Sequence, residues 1–177
     1  DGLGDSCDER FAALSEEVVM DSYNGKHWTR NHGAETLDWF AAYDYCEALE
    51  VDGSSDWRLP TVDELRERVF GCARIAEGGL CAASDPSCLC SGYAHCNCSG
   101  WCGSSLGCGG APVSADGCYR QGGVWEGDCD LHWASSPHGL GGNGSNANNA
   151  WTVDYREGSF HVIPKPRSDA YRVRCVR

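Results

Sequence analysis

The sequence predicts an α+β fold, and three observations support this prediction. Short strand-like segments lie near both ends of the chain. Two helix-like segments follow the first of them, and an irregular segment separates these helices from the last strands. The irregular segment, residues 72–129, is rich in glycine, serine and cysteine. Because a chain of 177 residues fits one domain, residues 1–177, we interpret 72–129 as a cysteine-rich insertion within that domain.

A β-hairpin and then a helix are predicted in the first fifty residues. Residues 18–20 and 26–29 have strand-like composition, and the Asn24-Gly25 pair between them is a strong turn signal. The helix is predicted over residues 37–50, with Thr36 as its cap. Its apolar face has helical spacing, which directs the cysteine of that face into the core. The residues of this face are Trp39, Ala42, Tyr43, Cys46 and Leu49.

A second helix is predicted to begin at Thr61 and to run to about Phe70, before Gly71. Thr61 and Glu64 have the spacing of a capping box, in which each side chain accepts a hydrogen bond from the other residue's backbone N–H. Such a cap stabilises a helix start by about 1 kcal/mol.

Regular structure is predicted again after the insertion. The chain becomes regular at residues 131–136, and strands are predicted at 150–155, 160–164 and 171–176. Residues 156–159 would join the first two of these strands as a hairpin.

Side chains alternate between the two faces of a strand, which sets the expected orientation of the C-terminal residues. Tyr171, Val173 and Cys175 would share one face, and Arg172 and Arg174 the other. We therefore expect Cys175 to point inward.

Charge and hydropathy exclude two classes of function. The formal net charge is −12, and phosphate or sulfate binding needs a basic surface. Nucleic acid and anionic polysaccharide are therefore not expected partners. No stretch approaches the roughly 20 apolar residues that a membrane-spanning helix requires, so we expect no direct membrane insertion.

Thirteen cysteines favour an oxidising compartment. Together with a start at Asp1 instead of methionine, they lead us to expect a secreted, extracellular protein. Two close cysteine pairs, Cys88-Leu89-Cys90 and Cys96-Asn97-Cys98, would also suit zinc or copper, although no histidine pattern completes a zinc site. We expect disulfides and no metal, with a connectivity that sequence does not determine. The ten cysteines of the insertion are Cys72, Cys81, Cys88, Cys90, Cys96, Cys98, Cys102, Cys108, Cys118 and Cys129.

Five segments outside the insertion resemble one family. They are the strand-turn-strand from Met20 to Trp28, the helix with Tyr45-Cys46, the segment from Asp56 to Leu65 with its Asp-Trp-Arg-Leu-Pro-Thr string, Trp133-Ala134-Ser135-Ser136, and Ala150 to the C-terminus with its Arg-Cys-Val-Arg ending. These segments resemble the C-terminal domain family of Legionella collagen-like proteins (Lcl-type). That family belongs to the C-type-lectin-like and formylglycine-generating-enzyme-like fold group.

The resemblance implies a C-type-lectin-like fold, in which two helices pack on a small, twisted, mostly antiparallel sheet. The N- and C-terminal strands would lie close together. The resemblance also implies a disulfide between the first helix and the last strand, and the inward faces of Cys46 and Cys175 agree with this pair. Cys7 is then left over, so it is free, bonded to the insertion, or bonded to another chain.

The lectin-like resemblance places the variable binding surface on long loops and on the strands beside them. Here this region is the loop 139–149, which is rich in glycine and asparagine. Amides beside an aromatic ring suit sugar hydroxyls or a peptide backbone. No cofactor is required, but a structural calcium ion could bind if carboxylates join the amides. The other interpretation is a polar loop flanked by core tryptophans. The predicted ligand-binding residues are Trp133, Asn143, Asn146, Asn148, Asn149, Trp151 and Asp154.

No nucleophile elbow, phosphate loop or metalloprotease helix is present in the sequence, so we do not expect an enzyme. We expect an extracellular binding or adhesion module at a bacterial cell surface, with a glycan or protein ligand on another surface. The alternative is a structural subunit of a surface appendage or filament, in which copies of the chain contact one another and are disulfide-linked through Cys7.

Overall fold

The computed structural model describes the chain on both sides of the insertion and a few residues within it. The described residues are 10–31, 36–70, 116–120, 123–127, 129–137, 148–165 and 169–177. Among them no helix is long and apolar enough to cross a membrane. The elements are β1 Phe11–Ala13, β2 Val18–Asp21, β3 His27–Thr29, α1 Trp39–Glu47, α2 Val62–Arg66, β4 Leu131–Pro137, β5 Asn149–Asp154 and β6 Ser159–Pro164.

These strands form two antiparallel sheets, ordered β1–β2–β3 and β4–β5–β6, which gives the predicted α+β mixture. The predicted hairpin is β2–β3, and Gly25 in its turn has a φ of 73°, a conformation that glycine adopts without strain. Strand β1 gave no signal in the sequence because it has only three residues. The resemblance implied a single small sheet. The structure has two, because residues 171–176 make isolated bridges and not a regular strand.

The first helix is shorter than predicted at both ends, and its cap is Asp38 instead of Thr36. The Asp38 side chain accepts a hydrogen bond from a backbone N–H of the first turn. The backbone N–H and carbonyl of Leu37 each bond Tyr171, at 2.9 Å. Because this pairing holds residue 37 in an extended conformation, the helix can begin only after it.

The second helix has the predicted capping box but ends early. The Thr61 hydroxyl accepts from the Glu64 N–H at 3.2 Å, and the Glu64 carboxylate accepts from the Thr61 N–H at 2.8 Å. The helix ends at Arg66 because the following residues form tighter turns. The N–H of Phe70 then donates to the carbonyl of Tyr119 at 3.0 Å, so the chain pairs there with a distant segment.

Residues 171–177, which we term the C-terminal segment, connect the two sheets and the helical region. The N–H of Thr29 in β3 donates to the carbonyl of Cys175 at 3.0 Å, and Arg58 and Val176 exchange two backbone hydrogen bonds at 2.9 Å. On the other sheet, the N–H of Trp133 donates to the carbonyl of Arg172 at 3.1 Å. The expected proximity of the N- and C-terminal strands is therefore present.

The disulfide between Cys46 of α1 and Cys175 of the C-terminal segment is also present, with an S–S distance of 2.03 Å. Both cysteines are fully buried, as their faces predicted. Within the insertion, Cys118 and Cys129 are bonded to each other. The other cysteines lie outside the described residues: Cys7, Cys72, Cys81, Cys88, Cys90, Cys96, Cys98, Cys102 and Cys108.

Arg174 differs from the simple alternation predicted for the last strand, because it is fully buried. Its guanidinium donates to the carbonyl of Thr29 at 2.7 Å, to that of Glu126 at 2.8 Å, and to that of Arg30. Burial lowers its pKa well below the ordinary value. Arg174 therefore acts as a buried donor that ties β3 to the 123–127 segment.

Two hydrophobic clusters cover opposite faces of the β4–β5–β6 sheet, one around Ala134 and Val153 and the other around Trp133 and Ala150. The first cluster encloses Arg68, which is 1% exposed. Its guanidinium carbon lies 4.8, 3.9 and 5.0 Å from three ring centroids, and within the described part of the chain none of its nitrogens has a hydrogen-bond partner. Burial lowers its pKa to about 10. Aromatic faces therefore replace an acidic partner around this cation. The rings are those of Trp28, Trp125 and Tyr155.

The Cys46–Cys175 disulfide should contribute more stability than the Cys118–Cys129 disulfide. It joins residues 129 apart, whereas the other joins residues 11 apart, and a longer loop restricts the unfolded chain more. Replacing both Cys46 and Cys175 by alanine should lower the free energy of unfolding by about 4–5 kcal/mol, against about 3 kcal/mol or less for the Cys118/Cys129 pair. Chemical denaturation measures both losses, and equal losses would contradict the loop-length account.

A free thiol at Cys46 or Cys175 in a non-reducing peptide map would contradict the pairing.

Stability should fall in acid through Glu64. Burial alone would raise the Glu64 pKa, but hydrogen bonds from Arg58, Lys26 and the Thr61 N–H outweigh it and lower the pKa from 4.5 to about 2. A carboxylate with a depressed folded-state pKa contributes stability above its unfolded pKa and loses it as the pH falls through the folded value. The contribution at neutral pH is about 2–3 kcal/mol, and it should disappear between pH 4.5 and about 2.

The variant Glu64→Gln should therefore be less stable than the wild type at pH 7 and approach it near pH 2. Exposed Glu50 supplies the matched control, since Glu50→Gln should behave as the wild type throughout. Urea unfolding at several pH values makes the measurement. A constant difference between Glu64→Gln and the wild type across this range would contradict the account.

Candidate functional site

The two tryptophans of the predicted binding loop do not share a surface. Trp133 pairs with Thr152 across β4 and β5, and directly opposed residues share a face of the sheet. Trp151 is the neighbour of Thr152 along β5, so it lies on the other face. Trp133 is 1% exposed and its indole N–H donates to the carbonyl of Leu37 at 2.8 Å. Its ring is thus part of the core, and Trp151 is half-buried.

The predicted polar residues are also divided. Asn149 and Asp154 are the two ends of β5, five residues apart, which corresponds to about 17 Å along a strand. Asn148 is exposed and Asn149 half-buried, beside the start of the strand. Asn143 and Asn146 lie outside the described residues. The structure therefore leaves Asn148 and Asn149 together and separates them from Asp154.

Near Asn148, on the face of the sheet that carries Trp133, α1 forms an aromatic surface. Trp39 and Tyr43 stand one helical turn apart, with ring centroids 5.7 Å apart and planes tilted by 32°. The ring of Phe40 meets Trp39 edge-on at 5.3 Å. Phe40 is 56% exposed and Tyr43 41% exposed, while the indole N–H of Trp39 donates to the carbonyl of Ala134 at 2.9 Å. This bond fixes the central ring, and we name Trp39, Phe40 and Tyr43 the α1 aromatic surface.

Lys165 joins the α1 aromatic surface to the backbone of Asn148. Its ammonium nitrogen lies 3.9 Å from the centroid of Trp39, and its backbone N–H donates to the carbonyl of Asn148 at 2.5 Å. Partial burial lowers the pKa of Lys165. Aromatic rings from α1 and the ammonium group of Lys165 are thus brought together beside the backbone of Asn148. Asn149 shares the other face of β5 with Trp151, so its side chain does not face this surface.

The sequence carried a signal for this surface that the helical periodicity concealed. That periodicity assigned Trp39 and Tyr43 to the buried face, but only Ala42 and Cys46 of α1 are buried. Four of the nine α1 residues are aromatic, which is more than one face of so short a helix can cover. A helix with more large rings than the core can bury must expose some of them, and this composition indicates an aromatic surface. The four are Trp39, Phe40, Tyr43 and Tyr45.

A polar depression of about 460 Å³ lies elsewhere, beside the Cys118–Cys129 disulfide. Its charges already pair within the protein. Arg120 bonds Asp116 at 3.1 Å, and Arg156 forms an ion pair with Asp130. Because each guanidinium there already has a carboxylate, the depression offers no net charge to a ligand.

One further group has the spacing of metal ligands. Asp154, Glu157 and His161 each offer a ligand atom, and these atoms lie within 4.8 Å of one another. The group belongs to the β5–β6 hairpin, at the opposite end of β5 from Asn149. It is therefore distinct from the α1 aromatic surface. The calcium ion considered for the asparagine loop stays a prediction, and Asp154 lies at the far end of β5 from Asn149.

Comparison with known proteins identifies the family. The model of the Lcl C-terminal domain matches residues 17–177, which include β2 and every later element of the structure. No curated protein and no solved structure matches the chain significantly, so the finer assignment to the C-type-lectin-like fold group stays a prediction. Membership suggests a surface or extracellular module. The chain belongs to the Lcl C-terminal domain family.

Proposed function

We propose that this chain is an extracellular, non-enzymatic binding or adhesion module that recognises a glycan or protein ligand on another surface. The observation that carries the proposal is the exposure of Phe40 and Tyr43 beside the fixed ring of Trp39. Clustered exposed apolar side chains are typical of interaction sites. Aromatic residues are also enriched among those that dominate binding energy.

The composition of the surface favours an uncharged glycan as the ligand. The apolar C–H face of a sugar ring packs on an aromatic ring, while its hydroxyls need donors and acceptors such as the Lys165 ammonium group and the amide of exposed Asn148. Asp38, the cap of α1, and Asp44, within α1, are both exposed. The whole chain has a net charge of −12. These carboxylates disfavour an anionic ligand, because the single ammonium group of Lys165 does not outweigh them.

The side chains of the α1 aromatic surface are suited to contact and not to bond cleavage. General acid–base or nucleophilic catalysis needs a paired acid, base or nucleophile within hydrogen-bond reach of the substrate. The rings of Trp39, Phe40 and Tyr43 supply area, and Lys165 is directed onto the Trp39 ring. This composition supports a binding role.

Removing either exposed ring should weaken binding without unfolding the protein. Labelled wild-type protein would be screened on an array of uncharged and anionic glycans, and the dissociation constant of the best ligand then measured. We expect Phe40→Ala and Tyr43→Ala each to weaken binding about tenfold or more, since a central aromatic contact contributes roughly 1–2 kcal/mol or more.

Tyr23→Ala is the matched control, because Tyr23 is 73% exposed but lies in the β2–β3 turn. It should bind as the wild type does, and all three variants should keep the wild-type melting temperature. Wild-type affinity in both α1 variants would contradict the proposed surface. Binding to surface proteins alone would replace the glycan by a protein ligand.

A further inference from the structure

The β5–β6 hairpin carries a second cluster of polar side chains that the proposed binding function does not use. Asp154 ends β5, Glu157 lies in the turn, and His161 follows in β6. One ligand atom of each lies within 4.8 Å of those of the other two. Two carboxylate oxygens and one imidazole nitrogen are thus gathered by a single short hairpin.

Asp154 is only 6% exposed, yet no cation pairs with it in the part of the chain that the structure describes. Its Oδ1 accepts the backbone N–H groups of Arg156 and Glu157, at 2.7 and 3.3 Å, while Oδ2 accepts none from the described residues. The guanidinium of Arg156 pairs instead with Asp130. A carboxylate this deeply buried normally has a charged partner. Among the described residues, the imidazole of His161 is the group of this cluster that can carry a positive charge, and its Nε2 atom also lies 2.9 Å from the Ser159 hydroxyl oxygen.

A second buried polar group on the same face also lacks a partner. Thr152 lies two residues before Asp154 on β5 and directly opposite His161 on β6, so the three side chains share one face of the sheet. The Thr152 hydroxyl is fully buried and has no hydrogen-bond partner among the residues that the structure describes. Leaving such a group unsatisfied costs about 1–3 kcal/mol, which a water molecule carried by a cation could offset.

We propose that Asp154, Glu157 and His161 bind one divalent transition-metal cation of the zinc type. Mixed carboxylate and imidazole ligands are typical of zinc and similar cations, whereas calcium takes oxygen ligands. Burial raises the pKa of Asp154 because it disfavours the charged carboxylate, and a bound cation would offset that penalty. The cation joins the end of β5 to β6 and so fastens the hairpin. The proposal does not depend on the proposed function, since the α1 aromatic surface takes no part in it.

Titration of the intact, oxidised protein with zinc chloride tests the proposal. We expect one zinc ion per chain and a higher melting temperature with zinc than with chelator. Glu157→Gln and His161→Gln should each weaken zinc binding by about 100-fold or more, since even outer-shell partners contribute about 10- to 100-fold. Glu47→Gln, an exposed glutamate at the end of α1, is the matched control and should bind zinc as the wild type does.

Cobalt as a spectroscopic substitute separates this site from the cysteines. A cation held by oxygen and nitrogen lacks the sulfur-to-cobalt charge-transfer band, whereas thiolate ligands produce it. Wild-type affinity in Glu157→Gln would overturn the proposal, as would a thiolate band or no zinc binding by the wild type. Because Glu157 is exposed, its variant tests the proposal even if His161→Gln fails to fold.

Discussion

The fold depends on one short stretch of backbone, the C-terminal segment of residues 171–177. Its backbone pairs with β3 on one side and with β4 on the other, and Cys175 closes a covalent link to α1. Arg174 adds three hydrogen bonds to carbonyls on elements far away in sequence. Each sheet alone has three strands, and three-residue β1 and β3 are too short to be independently stable. The segment therefore converts two small sheets into one packed structure.

This construction also determines which surface remains available for binding. The β4–β5–β6 sheet is covered on both faces by hydrophobic clusters, so the tryptophans that flank the asparagine loop are used in packing. The disulfide at Cys46 and the pairing of Leu37 hold α1 by one face and one end. Its aromatic residues on the outer side, Phe40 and Tyr43, are left exposed. The proposed binding surface thus lies on the helix that the C-terminal segment anchors.

The sequence predicted local structure better than the site, and particular residues explain why. The Asn24-Gly25 turn and the Thr61/Glu64 capping box depend on interactions within a few residues, so their patterns are visible in the chain. The start of α1 depends on Leu37 meeting Tyr171, and the burial of Arg174 depends on carbonyls of distant segments. The separation of Trp133 from Trp151 follows from the covering of both sheet faces, which no local pattern encodes.

Amide hydrogen exchange of the native, oxidised protein tests most directly whether the C-terminal segment holds the structure together. The N–H groups of Thr29, Cys175 and Val176 bond across the junction between the segment and the rest of the fold. The account predicts that these amides exchange only through global unfolding and are as protected as the centre of β5. Exchange of Cys175 and Val176 well before the two sheets would contradict it, because the sheets would then be stable without the segment.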